Sequence, residues 1–314
     1  MTTESLSQTL RDFLRQRGPA LGVDLVSLTG QDVLTLAGVL GADGEIHRDA
    51  LATCYLRIDE DSPDGARMSP SFLRKFVSFT CFGTDEEAVR AAVRELGRRH
   101  AEISRRKREL GAGVGRDLLA HFRESLSGDL GVLICGDVVY DLAHDSPRRE
   151  RSTDIPVRGS DIDLIVVLED ADAALRPDIE AKLLEIKYFW LKHPRIAEEL
   201  DFIVKTPTEI SRQLGFETVK DKIAMKILAE SEPLLDSGTI LERCAAALAA
   251  SEVSGRLAEL EKRARRRQRR LEADVYSGRV ETLDAEAKSI FFSVELDELG
   301  EFSRSRQSLI ALKP

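Results

Sequence analysis

Apolar residues recur along this chain at two spacings, and each spacing predicts a kind of element. Leu6, Leu10, Phe13 and Leu14 fall on one helical face, and Val33, Leu36 and Leu40 repeat it. Cys54 to Ile58 and Phe76 to Phe82 predict strands; in the second, Val77, Phe79 and Cys81 alternate with Ser78 and Thr80. Thr84 followed by Glu87 reads as a capping box that opens a helix carrying a basic run. Ala42-Asp43-Gly44-Glu45 lacks the earlier oxygen ligands of a calcium loop, so a plain turn between helices is expected.

Gly111-Ala112-Gly113-Val114-Gly115 comes next. No strand precedes it, as a phosphate loop would need, so a flexible linker is expected. Beyond it the two periods alternate. Leu118, Leu119, Phe122 and Leu126 make a helix face, Leu130 to Cys135 a strand ending at Gly136, and Asp161 to Leu168 a second strand after a polar insertion. Pro177 opens a helix through Ile179, Leu183, Ile186 and Trp190, with Trp190 read as core. Leu200 to Val204 is a third strand, followed by Pro207 and helices around Ile210 and over residues 217–230. Val253, Leu257, Leu260, Ala264 and Leu271 then form the apolar seam of a last helix. The expected fold class is α+β in three parts: an N-terminal α+β domain (1–110), a central α/β domain with a mixed sheet (111–236) and a C-terminal helical region (237–314).

Composition narrows the classes. The net charge of −9 argues against a surface that binds nucleic acid indiscriminately. Two local basic runs remain: Arg98, Arg99 and Arg105 to Arg108, and Lys262 to Arg270. The second is expected to pack within the chain or against a partner helix through its apolar seam; a nucleic-acid backbone is the alternative. No run is long and apolar enough to span a membrane, and the first eight residues lack the pattern of a secretory leader. Four scattered cysteines and five isolated histidines predict reduced thiols, no zinc site and a cytoplasmic protein.

The chemistry concentrates in Gly159-Ser160-Asp161-Ile162-Asp163-Leu164. Carboxylates two apart on a strand project from one face, and on an otherwise apolar strand their repulsion is relieved by a divalent cation. Asp201, in Leu200-Asp201-Phe202-Ile203-Val204, supplies a third acid if its strand lies alongside. Three carboxylates with phosphate and water suit magnesium, and two such ions can serve one phosphoryl transfer.

This order of elements resembles the DNA polymerase beta-type nucleotidyltransferases over residues 112–236. The resemblance implies a polymerase beta-like fold, Asp161, Asp163 and Asp201 as catalytic metal ligands for two Mg2+ ions, and Gly136, Asp137 and Ser160 beside the triphosphate. It also implies that Lys222 or Lys226 reaches that triphosphate. The activity it implies moves a nucleoside monophosphate from a nucleoside triphosphate such as ATP to an acceptor that no motif identifies. Two features depart from the family: Asp137 stands where a small residue is usual, and the insertion before Asp161 is longer. Arg148, Arg149, Arg151 and Arg158 lie in that insertion and are candidates to offset Asp137. A non-catalytic, antitoxin-like relative that binds a nucleotide or partner, and a nucleic-acid-binding module built on the basic helices, are the alternatives.

Overall fold

The computed structural model describes residues 2–59, 65–150 and 152–279. They divide into two compact units, one of residues 2–99 and 258–279, the other of residues 100–257. The remainder of the expected C-terminal helical region, residues 280–314, and Arg151 lie outside the described residues.

In the first unit, α1 (Thr3–Arg17) starts where the Thr2 hydroxyl accepts the Ser5 N–H, and it buries Leu6, Leu10 and Leu14. β1 (Ala20–Leu21), α2 (Gly22–Thr29) and α3 (Val33–Ala42) follow, with Asp32 capping α3 through the N–H groups of Leu34 and Thr35. Then come β2 (His47–Ala50), β3 (Tyr55–Ile58), β4 (Ala66–Ser69), α4 (Phe72–Arg74) and β5 (Thr80–Gly83). The strands β1, β5 and β2 form an antiparallel sheet in that order, and β3 pairs with β4. The 42–45 segment is a turn, but it joins α3 to β2, not two helices. Its Asp43 is engaged internally by Ser7 and Arg11.

The strand expected over Phe76 to Phe82 is corrected. Lys75–Phe79 is a wide helical turn, and only Thr80–Gly83 is strand. Phe76, Phe79 and Phe82, three apart, are the fully buried residues, so their period outweighed the two-residue alternation.

α5 (Glu86–Phe122) runs 37 residues and corrects two expectations. Its first turn is capped by Asp85, whose carboxylate accepts the Ala88 N–H, in place of Thr84. The glycine-rich segment is helix, not linker. A Cβ at Gly111 would come within 2.8 Å of Leu234 Cδ1 and 3.3 Å of Leu164 Cδ2; at Gly115, within 3.3 Å of Leu235 and 3.4 Å of Val132. These glycines, four apart on one helix face, let the helix lie close on the sheet.

The second unit continues with β6 (Leu130–Cys135), the β7 (Pro147–Arg149) and β8 (Pro156–Arg158) hairpin, β9 (Ile162–Leu168) and α6 (Arg176–Lys192). β10 (Leu200–Lys205), α7 (Pro207–Gln213), α8 (Val219–Glu230), β11 (Glu232–Asp236) and α9 (Ile240–Ala250) complete it. α10 (Val253–Tyr276) begins here and ends among the residues of the first unit. The sheet order is β10-β9-β6-β11, with β9 and β10 parallel through α6 and the other pairs antiparallel. The class is therefore mixed α and β with a mixed sheet. β11 escaped the sequence pattern because Pro233 interrupts it; at a sheet edge a proline is tolerated.

Alternate residues of three strands (Val132 and Ile134, Ile162 and Leu164, Leu200 and Phe202) share one core with Leu118 of α5 and Leu183 and Trp190 of α6. Asp161, Asp163, Glu199 and Asp201 occupy the intervening positions.

The two basic runs differ. Arg98 and Arg99 pair with Glu95, and Arg105 with Glu109. Arg106 holds Asp145, Lys107 is fully buried against Glu198, and Arg108 holds Asp141 and Glu232. That run is consumed by internal pairing. In the second run Ala264 is buried, Leu271 and Val275 just beyond it pack within the first unit's core, and Arg263, Arg266, Arg269 and Arg270 are exposed. No single described helix is long and apolar enough to cross a membrane.

Candidate metal centre

Register builds this site. β9 and β10 pair Ile162 with Leu200 and Asp163 with Asp201. The residue before each strand, Asp161 and Glu199, is thereby brought alongside the other. Carboxylate oxygens of Asp161, Glu199 and Asp201 all lie within 4.8 Å of one another. β6 runs the other way and delivers Gly136 to the same end of the sheet.

The segment before Asp161 is stiffly mounted. Gly159 has φ +55°, and a Cβ there would stand 1.7 Å from the His144 carbonyl oxygen, so glycine is required. Ser160 donates its N–H to that carbonyl at 3.1 Å, and its hydroxyl bonds Asp137 Oδ2 at 3.3 Å. From α5, Lys107 Nζ donates to the carbonyls of Ser160 (2.7 Å) and Arg158 (3.1 Å).

Asp163 stands apart from the group of three. Its Oδ2 lies where a Cβ at Gly136 would approach to 2.5 Å, and Gly136 itself has φ +74°. Glycine at 136 therefore serves both the turn and the Asp163 carboxylate. Gly136 thus lies against Asp163, and Ser160 against Asp137. Lys226 is buried and pairs with Glu230 at 2.6 Å, and Lys222 is half-buried, both on α8.

Two residues that the sequence did not single out complete the site. Glu199 is 2 % exposed and lies two before Asp201, on the same strand face. Lys187 is fully buried on α6, one turn after Leu183, and its Nζ is 2.5 Å from Asp201 Oδ1. The signals existed: a strand-period acid beside Asp201, and a lysine on the apolar stripe of its helix.

Of the insertion's arginines, Arg148 reaches the acids. Its Nη1 is 2.6 Å from Glu199 Oε2, its Nη2 3.4 Å from Asp161 Oδ1, and its Nε donates to the Gly159 carbonyl at 2.5 Å. Arg149 pairs instead with Asp154 at 2.9 Å. Arg148, one of the candidates to offset Asp137, is thus engaged with Glu199 and Asp161.

Compared with models of protein families, with curated proteins and with solved structures, the chain matches none.

Charge balance is the deciding quantity. Three carboxylates face two cations, Arg148 and Lys187, within a few ångströms. Burial, then the charges of Asp161 and Asp201, push the Glu199 carboxyl up to about 7 against the pull of Arg148 and Lys187. Burial also opposes the Arg148 charge, yet Asp161 and Glu199 outweigh it and raise its pKa. With Glu199 ionised, above about 7, these three carboxylates exceed the two cations; with Glu199 protonated the two sides are equal. Asp161, Glu199 and Asp201 are an all-oxygen group that could hold a metal ion.

Proposed function

We propose that this chain is a metal-dependent nucleotidyltransferase with a polymerase beta-like catalytic unit. The observation that supports the reading best is the parallel β9–β10 register, which assembles Asp161, Glu199 and Asp201 at the sheet end where Gly136 also lies. Magnesium bound there would supply positive charge for the phosphate oxygens and lower the pKa of an attacking hydroxyl. Gly136 leaves room for the Asp163 carboxylate, and the Ser160 hydroxyl donates to Asp137. Lys187 fixes Asp201 in a single orientation. In the reaction an acceptor hydroxyl oxygen attacks the α-phosphorus of a nucleoside triphosphate. The α–β phosphoanhydride bond breaks, pyrophosphate leaves with its electron pair, and the hydroxyl proton passes to a carboxylate of the group.

A second reading has its own support. Lys187 on Asp201 and Arg148 on Glu199 are internal counter-ions of the kind that would suit a non-catalytic nucleotide- or partner-binding relative. Incubation with magnesium, each α-labelled nucleoside triphosphate and cell extract separates the two. The first reading expects label in an acceptor with the native chain and with Asp137→Ser, and none with Asp161→Ala. Nucleotide binding without label transfer supports the second; neither binding nor transfer overturns both.

A further inference from the structure

The first unit contains a cavity of about 390 Å³, a size that suits a small molecule. Its apolar lining is aromatic. Phe72 and Phe76 are buried, and the Tyr276 ring meets Phe72 edge-on at 5.6 Å. Three cations and two carboxylates complete the wall: Arg48, Lys75 and Arg269 with Asp49 and Glu272.

These charges are not equally engaged. Lys75 Nζ lies 3.0 Å from both oxygens of Glu272, so that pair is self-neutralised. Asp49 is exposed and turns its Oδ1 to the Ala50 N–H at 2.8 Å. Arg48 stacks on the Tyr276 ring at 3.9 Å and forms no ion pair with any described residue; nor does Arg269. Stacking on a ring fixes the guanidinium plane while leaving its N–H edge to bind. Two guanidiniums without an ion pair among the described residues offer several N–H donors to one anion attached to a flat apolar body, and the exposed Asp49 offsets one of their two charges. A carboxylate presents two acceptor oxygens to them, whereas a phosphate monoester carries about −1.5 to −2 at neutral pH and presents three.

We propose that this cavity binds a phosphate monoester of an aromatic molecule, with Arg48 and Arg269 on the phosphate and the half-buried Tyr276 beside the ring. The assignment gives the first unit a ligand-binding role and is independent of the nucleotidyltransferase reading.

Calorimetric titration of the full chain with phenyl phosphate tests it, with phenol and inorganic phosphate as partial ligands. Phenyl phosphate is expected to bind more tightly than either. Arg48→Ala and Arg269→Ala should each weaken it at least about tenfold, the loss expected of a charged hydrogen-bonded pair. Arg266→Ala, one turn from Arg269 and outside the lining, and Asp161→Ala should leave it within about twofold. A short oligonucleotide with and without a 5′-phosphate shows whether the ester comes free or at a chain end; phosphate-dependent binding of it that is lost in Arg48→Ala also supports the site. No binding of phenyl phosphate or the 5′-phosphorylated oligonucleotide at millimolar concentration overturns the proposal. So does equal weakening by Arg266→Ala, which would reduce the effect to diffuse positive charge, or loss with Asp161→Ala alone. Thermal melting of each variant confirms that a loss is not unfolding.

Discussion

Glu198 and Glu199 are neighbours in sequence, both almost wholly buried, and they serve opposite ends. Glu198 turns to Lys107 and Arg106, and with Asp145 these make two acids facing two bases. Glu199 turns to Asp161 and Asp201, where acids outnumber bases. A balanced buried cluster is a structural tie; an unbalanced one invites a cation from outside. The contrast shows that charge closure, more than burial, separates a scaffold from a candidate site.

The comparison breaks most visibly in stability. Glu198→Ala leaves Lys107 buried without its carboxylate and should cost about 3–5 kcal/mol, measured by urea denaturation. Glu199→Gln at pH 8 should cost nothing or raise stability, because it removes a carboxylate from an over-acidic group. Equal losses in the two variants would erase the distinction.

A smaller effect is expected at the mount of the site. Gly159→Ala forces a left-handed backbone on alanine, about 1–3 kcal/mol for the conformation alone, and adds a clash with the His144 carbonyl. Asp161 should lose its placement, read as a fall in divalent-cation affinity at a temperature where the variant is still folded.

The gentlest probe is pH. Folded Glu199 keeps its proton up to about 7, whereas an unfolded glutamate releases it near the ordinary 4.5. Between those values the folded state binds more protons, so stability falls as pH rises through that window and levels off above it. Glu198, also raised mainly by burial, contributes in the same direction. Urea denaturation across the window should show a shallower decline in Glu199→Gln. It should also be shallower for the native chain with manganese, which favours the ionised carboxylate. A decline that neither change alters would remove Glu199 from the account.

Much of the sheet unit was legible in the sequence. Leu130–Cys135 has the predicted bounds, and Ile162–Leu168 and Leu200–Lys205 differ from them by one residue, because apolar runs bounded by Gly and Pro leave little choice. Asp161 and Asp201 were found because a charge in an apolar strand needs a reason. Glu199 and Lys187 were not, since their role depends on strand register and on which turn of α6 meets β10. Gly111 and Gly115 read as a linker because their partners, Val132, Leu164, Leu234 and Leu235, lie far along the chain. Likewise, the arginines of α5 looked like a basic face until Glu198, Asp145 and Glu232 were brought to them by the fold.

The central claim is that Asp161, Glu199 and Asp201 hold a divalent cation while the adjacent Glu198 cluster does not. Manganese binding by electron paramagnetic resonance, with the native chain, Asp161→Asn and Glu198→Gln at a temperature where all three are folded, tests it most directly. The account predicts saturable binding that Asp161→Asn weakens at least about tenfold and Glu198→Gln leaves within about twofold. No binding to the native chain at millimolar manganese, or binding indifferent to Asp161→Asn, would contradict it.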